Sequence, residues 1–91
     1  MTTPKRTAEI PVINDDNLHL RPIQVFTEKA VGFESRISIR RGAKQGDAKS
    51  ILDVMLLAAE KGPLLLEADG ADAEAAIAAL EALLNQELNK R

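Results

Sequence analysis

Apolar and polar residues alternate along TAEIPVI, so that Ala8, Ile10 and Val12 share one face and Glu9, Pro11 and Ile13 the other. A period of two predicts a half-buried strand, and Pro11, which cannot donate a ladder hydrogen bond, puts it at an edge or strand end. Asn14-Asp15-Asp16-Asn17 follow, short polar side chains that bond their own backbone and reverse the chain. From Pro22 to Val31 the period changes. Ile23, Phe26, Thr27 and Ala30 are spaced as on one helix face, with Pro22 suited to the first turn and Gly32 to the end.

Phe33, Ser35, Ile37 and Ile39 then alternate with Glu34, Arg36, Ser38 and Arg40, which predicts a strand with a charged outer face. Arg41-Gly42-Ala43 turns it, and Lys44 to Ala48 is short enough for a strand closed by Gly46. Ser50 is placed to cap a second helix, ILDVMLLAA, with Asp53 near its positive end and Lys61-Gly62-Pro63 closing it. Leu64 to Asp69 reads as a strand with Leu64, Leu66 and Ala68 inward. The remainder, ADAEAAIAALEALLNQELNKR, repeats Ile77, Leu80, Leu84 and Leu88 at helical spacing, acidic at its start and ending on Lys90-Arg91. The order β-α-β-β-α-β-α with one-sided helices implies an α+β, open-faced two-layer sandwich: a four-stranded antiparallel sheet with three helices on one face.

At 91 residues and 45% hydrophobic content the chain suits a single domain spanning 1–91, with residues 1–6 expected as a flexible tip. A domain this small buries only about 60–65% of its unfolded surface, which argues against a deep, enclosed enzyme pocket. The absence of cysteine removes disulfide, thiolate and Cys-based zinc chemistry. One histidine and scattered carboxylates are no metal ligand set. MTTPKRTAEI carries charge without an apolar run, so no signal peptide is expected, and no apolar stretch approaches the roughly 20 residues of a membrane span. A cytoplasmic location fits. A net charge of −2 and two aromatics, Phe26 and Phe33, are poor material for nucleic-acid binding. KRTA near the N-terminus and Arg40-Arg41 read as a disordered tip and a hairpin corner.

The candidate chemistry lies in DDNLHLRP, which holds the only histidine. By residue type alone two readings stand: a surface histidine in a polar turn with Leu18 and Leu20 pinning it, or a nucleophile. An imidazole has an ordinary pKa of about 6.5, so a neutral nucleophilic form is available near pH 7. A helix start just downstream offers unpaired N–H groups and the positive dipole end, worth about 0.3–1 kcal/mol for an exposed anion and up to about 2 when partly buried. Arg21 can add a charge-assisted fork to phosphoryl oxygens. Asp15 and Asp16 are better explained by the turn than by orienting the imidazole.

NLHLRPIQVFTEKAVGF, followed about thirty residues later by AKSILDVMLLAAEKG, resembles the HPr family, the histidine phosphocarriers of the bacterial sugar phosphotransferase system. The resemblance covers about residues 8 to 88. It implies that His19 accepts a phosphoryl group on its δ1 nitrogen from phosphorylated enzyme I, charged by phosphoenolpyruvate, and passes it to an enzyme IIA domain. Such a carrier is a relay and not a turnover enzyme, needs no cofactor or metal, and is expected as a monomer. Arg21 and the helix start at Pro22 would hold the phosphoryl oxygens.

Helix two is apolar nearly all round, so some of it faces water. Val54 and Leu57 suit the sheet side and leave Ile51, Leu52 and Met55 outward, a patch that with Leu20 would dock partners. Ser50, a cap by position, resembles the serine modified by HPr kinase/phosphorylase, and a phosphate there would add about −1.5 to −2 charges beside the patch. Leu20 is bulkier than the small or hydroxyl residue common in relatives, Ile23 replaces a common alanine, Gln24 and Glu28 stand where basic residues are common, and Asp53 adds a negative charge. These departures leave His19 and Arg21 intact and bear on the choice of donor. A regulatory module that controls a transcription factor or enzyme by its phosphorylation state, without sugar transport, is the alternative; a small-molecule enzyme lacks a second catalytic group near His19.

Overall fold

The computed structural model describes residues 5–13 and 17–89. Four strands, β1 (Lys5–Ile10), β2 (Arg36–Arg41), β3 (Lys44–Asp47) and β4 (Leu64–Asp69), form one sheet in the order β1-β4-β2-β3, with every neighbouring pair antiparallel. Helices α1 (Leu20–Val31), α2 (Ile51–Leu56) and α3 (Ala73–Leu88) complete the open-faced α+β sandwich, and a 3₁₀ turn, Leu57–Ala59, follows α2 directly.

Register explains the core. Leu66 of β4 stands opposite Ala8 of β1 and Ile39 of β2, while Ala68 stands opposite Ile37, so the inward rows are continuous across three strands. Phe26 and Ala30 of α1 and Leu80 of α3 close over them, fully buried. Burial of side chains this size contributes about 1.5–3 kcal/mol each. On the outer face polar residues line up, and Lys5 Nζ meets Glu67 Oε1 at 3.4 Å.

Several boundaries differ from the sequence reading. β1 begins at Lys5, because Lys5 and Arg6 pair with Asp69 and Ala68 of β4, so these two residues belong to the sheet and not to a tip; the strand ends before Pro11, which has no N–H for the ladder. α1 begins at Leu20, two residues before Pro22. Ile23 N bonds the carbonyl of His19 at 3.3 Å, so Pro22 sits in the first turn as its third residue. β2 starts at Arg36 and runs through Arg41, and the alternation of Ile37 and Ile39 continues, so Arg41 is fully buried and is no hairpin corner. Its Nε donates to Gly62 O at 2.8 Å and an Nη to Leu57 O at 3.3 Å, which satisfies the buried guanidinium. The expected Asn14–Asp16 part of the turn, residues 1–4 of the tip and the terminal Lys90-Arg91 lie outside the described residues.

Candidate functional site

His19 is the N-cap of α1. Its backbone is extended, at φ −118° and ψ −179°, and its carbonyl takes the first helical hydrogen bond, while the exposed imidazole makes no capping bond. The first three amides of a helix have no carbonyl partner within it. Here they belong to Leu20, Arg21 and Pro22, and proline has none, so the helix end presents two N–H groups directly after the imidazole. No carboxylate occupies the first turn. Among the described residues, neither the N-cap side chain nor the first turn supplies an anion to the positive end of the dipole. Arg21 is exposed and Pro22 buried.

The approach to His19 is anchored on both a packing and a polar contact. Leu18 is half-buried against the core and lines the same interior gap as Pro22, Phe26, Leu84 and Leu88. Asn17 Nδ2 donates to Leu88 O at the end of α3 at 2.6 Å. The histidine thus stands at an open rim, not in a recess. A depression of about 270 Å³ bounded by Thr7, Ser38, Leu65 and Glu67 lies on the outer sheet face, and His19 is not among its lining residues.

α2 packs beside α1, and Val54 and Leu57 meet the first turn of α1 across the interior gap. With these two buried, Ile51, Leu52 and Met55 are 38%, 74% and 43% exposed, and Leu20 is 54% exposed, so all four residues of the expected patch are at the surface. Leu56, which the sequence reading left unplaced, is 64% exposed and extends the patch.

Ser50 caps α2, accepting from Asp53 N on its Oγ at 3.2 Å. Asp53 is more than a surface charge on α2: its Oδ2 accepts from Asp47 N at 3.0 Å and ties the end of β3 to the first turn of α2. Gly46 makes this approach possible, because a Cβ there would fall 2.7 Å from Asp53 Cβ. Lys49 Nζ reaches back to Phe33 O at 2.7 Å. Ser50 is accordingly half-buried in a bonded corner, whereas His19 is exposed and makes no capping bond.

Two polar residues, Asn89 and Asp72, passed unnoticed in the sequence. Asn89 Oδ1 accepts from Ile13 N at 3.1 Å and Nδ2 donates to Pro11 O at 3.0 Å. Asp72 accepts from Glu34 N and Ser35 N at 2.8 and 2.9 Å and from the Ser35 hydroxyl. These contacts, led by the Ser35 hydroxyl and then the Glu34 amide, hold the Asp72 carboxyl below its ordinary value against the opposing effect of desolvation. The only local signal for Asn89 is that an asparagine suits a helix end.

Comparison with known proteins bears on this geometry. Residues 6–86 match the model of the PTS HPr component phosphorylation site. The chain belongs to the HPr family. Phosphocarrier protein HPr of Neisseria meningitidis is 40% identical over 77 residues, 84% of this chain and 86% of that protein. Among solved HPr structures, the histidine-containing phosphocarrier protein of a Mycoplasma has a TM-score of 0.79 and 34% identity, covering 89% of this chain and 93% of that one. HPr-C-His from Thermoanaerobacter tengcongensis has the same TM-score at 32% identity, covering 94% and 98%. The chain is thus an HPr-type phosphocarrier of the phosphotransferase system, with the open-faced sandwich of the HPr structures it matches. No helix among its described residues is long and apolar enough to cross a membrane.

Proposed function

We propose that His19 carries the phosphoryl group, taking it from phosphorylated enzyme I and passing it to an enzyme IIA domain. The observation that carries this reading is the exposed imidazole at the N-cap of α1, which makes no capping bond and stands ahead of two first-turn amides that have no carbonyl partner within the helix, with no carboxylate in that turn. In the forward step the neutral δ1 nitrogen attacks phosphorus, the N–P bond to His19 forms, and the bond from phosphorus to the donor breaks. The Leu20 and Arg21 amides and the Arg21 guanidinium offset charge on the phosphoryl oxygens. Nothing encloses the product, which suits a relay that must release its group to the next protein.

Leu20, Ile51, Leu52 and Met55 form the docking surface, since an apolar patch of this kind on a small domain is more often an interface than an accident. Ser50 is a regulatory site for HPr kinase/phosphorylase. A phosphate there would place about −1.5 to −2 charges next to Ile51 and Leu52 and act on docking. The Ser50 hydroxyl accepts from Asp53 N, an arrangement that a phosphorylated oxygen can keep.

The test is to incubate the chain with phosphoenolpyruvate and enzyme I and follow an acid-labile mass gain. Wild type should gain one phosphoryl group and His19→Ala none. No gain by wild type with a cognate enzyme I, or an equal gain by His19→Ala, would sink the reading.

A further inference from the structure

The far end of α3 is bonded to the segments on both sides of the active-site turn, through residues that no role in phosphoryl binding explains. Asn89, the C-cap of α3, presents its carboxamide to the chain just beyond β1: Oδ1 accepts from Ile13 N at 3.1 Å and Nδ2 donates to Pro11 O at 3.0 Å. One side chain here stands in for a neighbouring peptide group, where Pro11 has ended the strand ladder. Asn17 makes the complementary contact from the other side. Its Nδ2 donates at 2.6 Å to the carbonyl of Leu88, one of the last four carbonyls of a helix, which have no partner within it. The partners are 71, 76 and 78 residues apart in sequence, so the bonds carry long-range information.

We infer that Asn17 and Asn89 are positioning residues for His19. Asn17 lies two residues before the imidazole, and Leu18 between them is packed in the core, so a shift at the Leu88 carbonyl is passed on to the N-cap of α1. The imidazole makes no capping bond, so its position ahead of the Leu20 and Arg21 amides depends on this backbone. The role of the Asn89 carboxamide requires both a donor and an acceptor, which asparagine supplies and aspartate does not.

This inference rests on His19 being the phosphoryl acceptor, and the experiment separates the two. Asn17→Ala, Asn89→Ala and Asn89→Asp are compared with wild type and with Asn85→Ala, an exposed position on the same helix end whose side chain only meets Asn89 at 3.4 Å. The readouts are kcat and KM for phosphorylation by enzyme I, the imidazole ¹⁵N shifts of His19, and the amide shifts of Leu20 and Arg21. For the three clamp variants kcat should fall about three- to ten-fold at a KM within about twofold of wild type, since misplaced reacting groups lose rate more than docking. The His19 ¹⁵N shifts should move in the same variants and stay in place in Asn85→Ala. Unchanged shifts and kcat in folded clamp variants would overturn the inference, as would a kcat loss that only tracks the folded fraction. If wild type accepts no phosphoryl group, the acceptor reading falls, and the ¹⁵N and amide shifts still decide whether the clamp holds the imidazole.

Discussion

His19 and Ser50 occupy the same position on two helices, and their side chains are used in opposite ways. Ser50 bonds the amide of Asp53 and closes the first turn of α2, while Asp53 in turn holds Asp47. His19 contributes only its backbone to α1, and its imidazole makes no capping bond. A helix start offers amides to whatever acceptor is nearby. At α2 the protein supplies that acceptor itself. At α1 the N-cap side chain supplies none and the first turn carries no carboxylate, the arrangement on which the proposed phosphoryl site rests. The difference between a capping residue and a candidate carrier residue is thus visible as a hydrogen bond present at one start and absent at the other.

The strongest way to break this comparison is to remove the imidazole. His19→Ala should abolish the acid-labile mass gain yet leave the unfolding free energy within about 0.5 kcal/mol of wild type, as expected for an exposed side chain without a partner. A large loss of stability in urea denaturation would mean that His19 is structural after all. The α2 side should behave the other way. Arg41 bonds Leu57 O just beyond α2 and Gly62 O beyond that, both from a buried guanidinium. Arg41→Met should cost about 2–4 kcal/mol, because carbonyls lose a charged partner away from water. Ser50→Ala should cost less, about 1 kcal/mol, and Ser50→Asp should recover most of it because aspartate also caps. Both Ser50 variants should still take a phosphoryl group on His19, read by mass before and after acid treatment.

What could be read from the sequence follows the range of the interactions. Alternation located Leu64, Leu66 and Ala68, and helical spacing located Ile77, Leu80, Leu84 and Leu88, because burial against one sheet face imposes those periods locally. The outward set Ile51, Leu52 and Met55 was legible for the same reason: a six-residue helix can bury only one side. Leu56 was not, because the α-helix ends there and the chain tightens into a 3₁₀ turn. Arg41 fell on the inward phase of β2, but its charge argued for the surface, and the carbonyls that make its burial tolerable lie 16 and 21 residues away. The start of α1 was misplaced by two residues because proline marks a first turn without saying which position in it. Asn17 was legible as a turn residue but its bond to Leu88 was not, and the role of Asn89 was not legible at all, since their partners are more than 70 residues distant.

Asp72 sharpens the comparison with a third helix start. It is the N-cap of α3, yet its side chain makes no bond to its own helix; it reaches across to Glu34 and Ser35 at the entrance of β2. Gly70 leaves room for this, since a Cβ there would fall 2.6 Å from Ser35 Oγ and 2.8 Å from Ser35 Cα, at a φ of +157°. The Ser35 hydroxyl, chiefly, holds the Asp72 carboxyl below the ordinary 3.8, so the folded chain releases this proton more readily than the unfolded one. A depressed carboxyl contributes stability in full above the unfolded value and loses it as the pH falls through the folded value. Asp72→Asn should therefore unfold at a lower urea concentration than wild type at pH 7, and the gap between the two midpoints should narrow as the pH is taken down from 3.8. A gap that stays constant with pH would show that the charge of Asp72 is irrelevant and only its shape matters. Phosphorylation of His19 should be the same in both proteins, because these bonds of Asp72 end on Glu34 and Ser35, just before β2, and none of them reaches Asn17, Leu18 or Asn89.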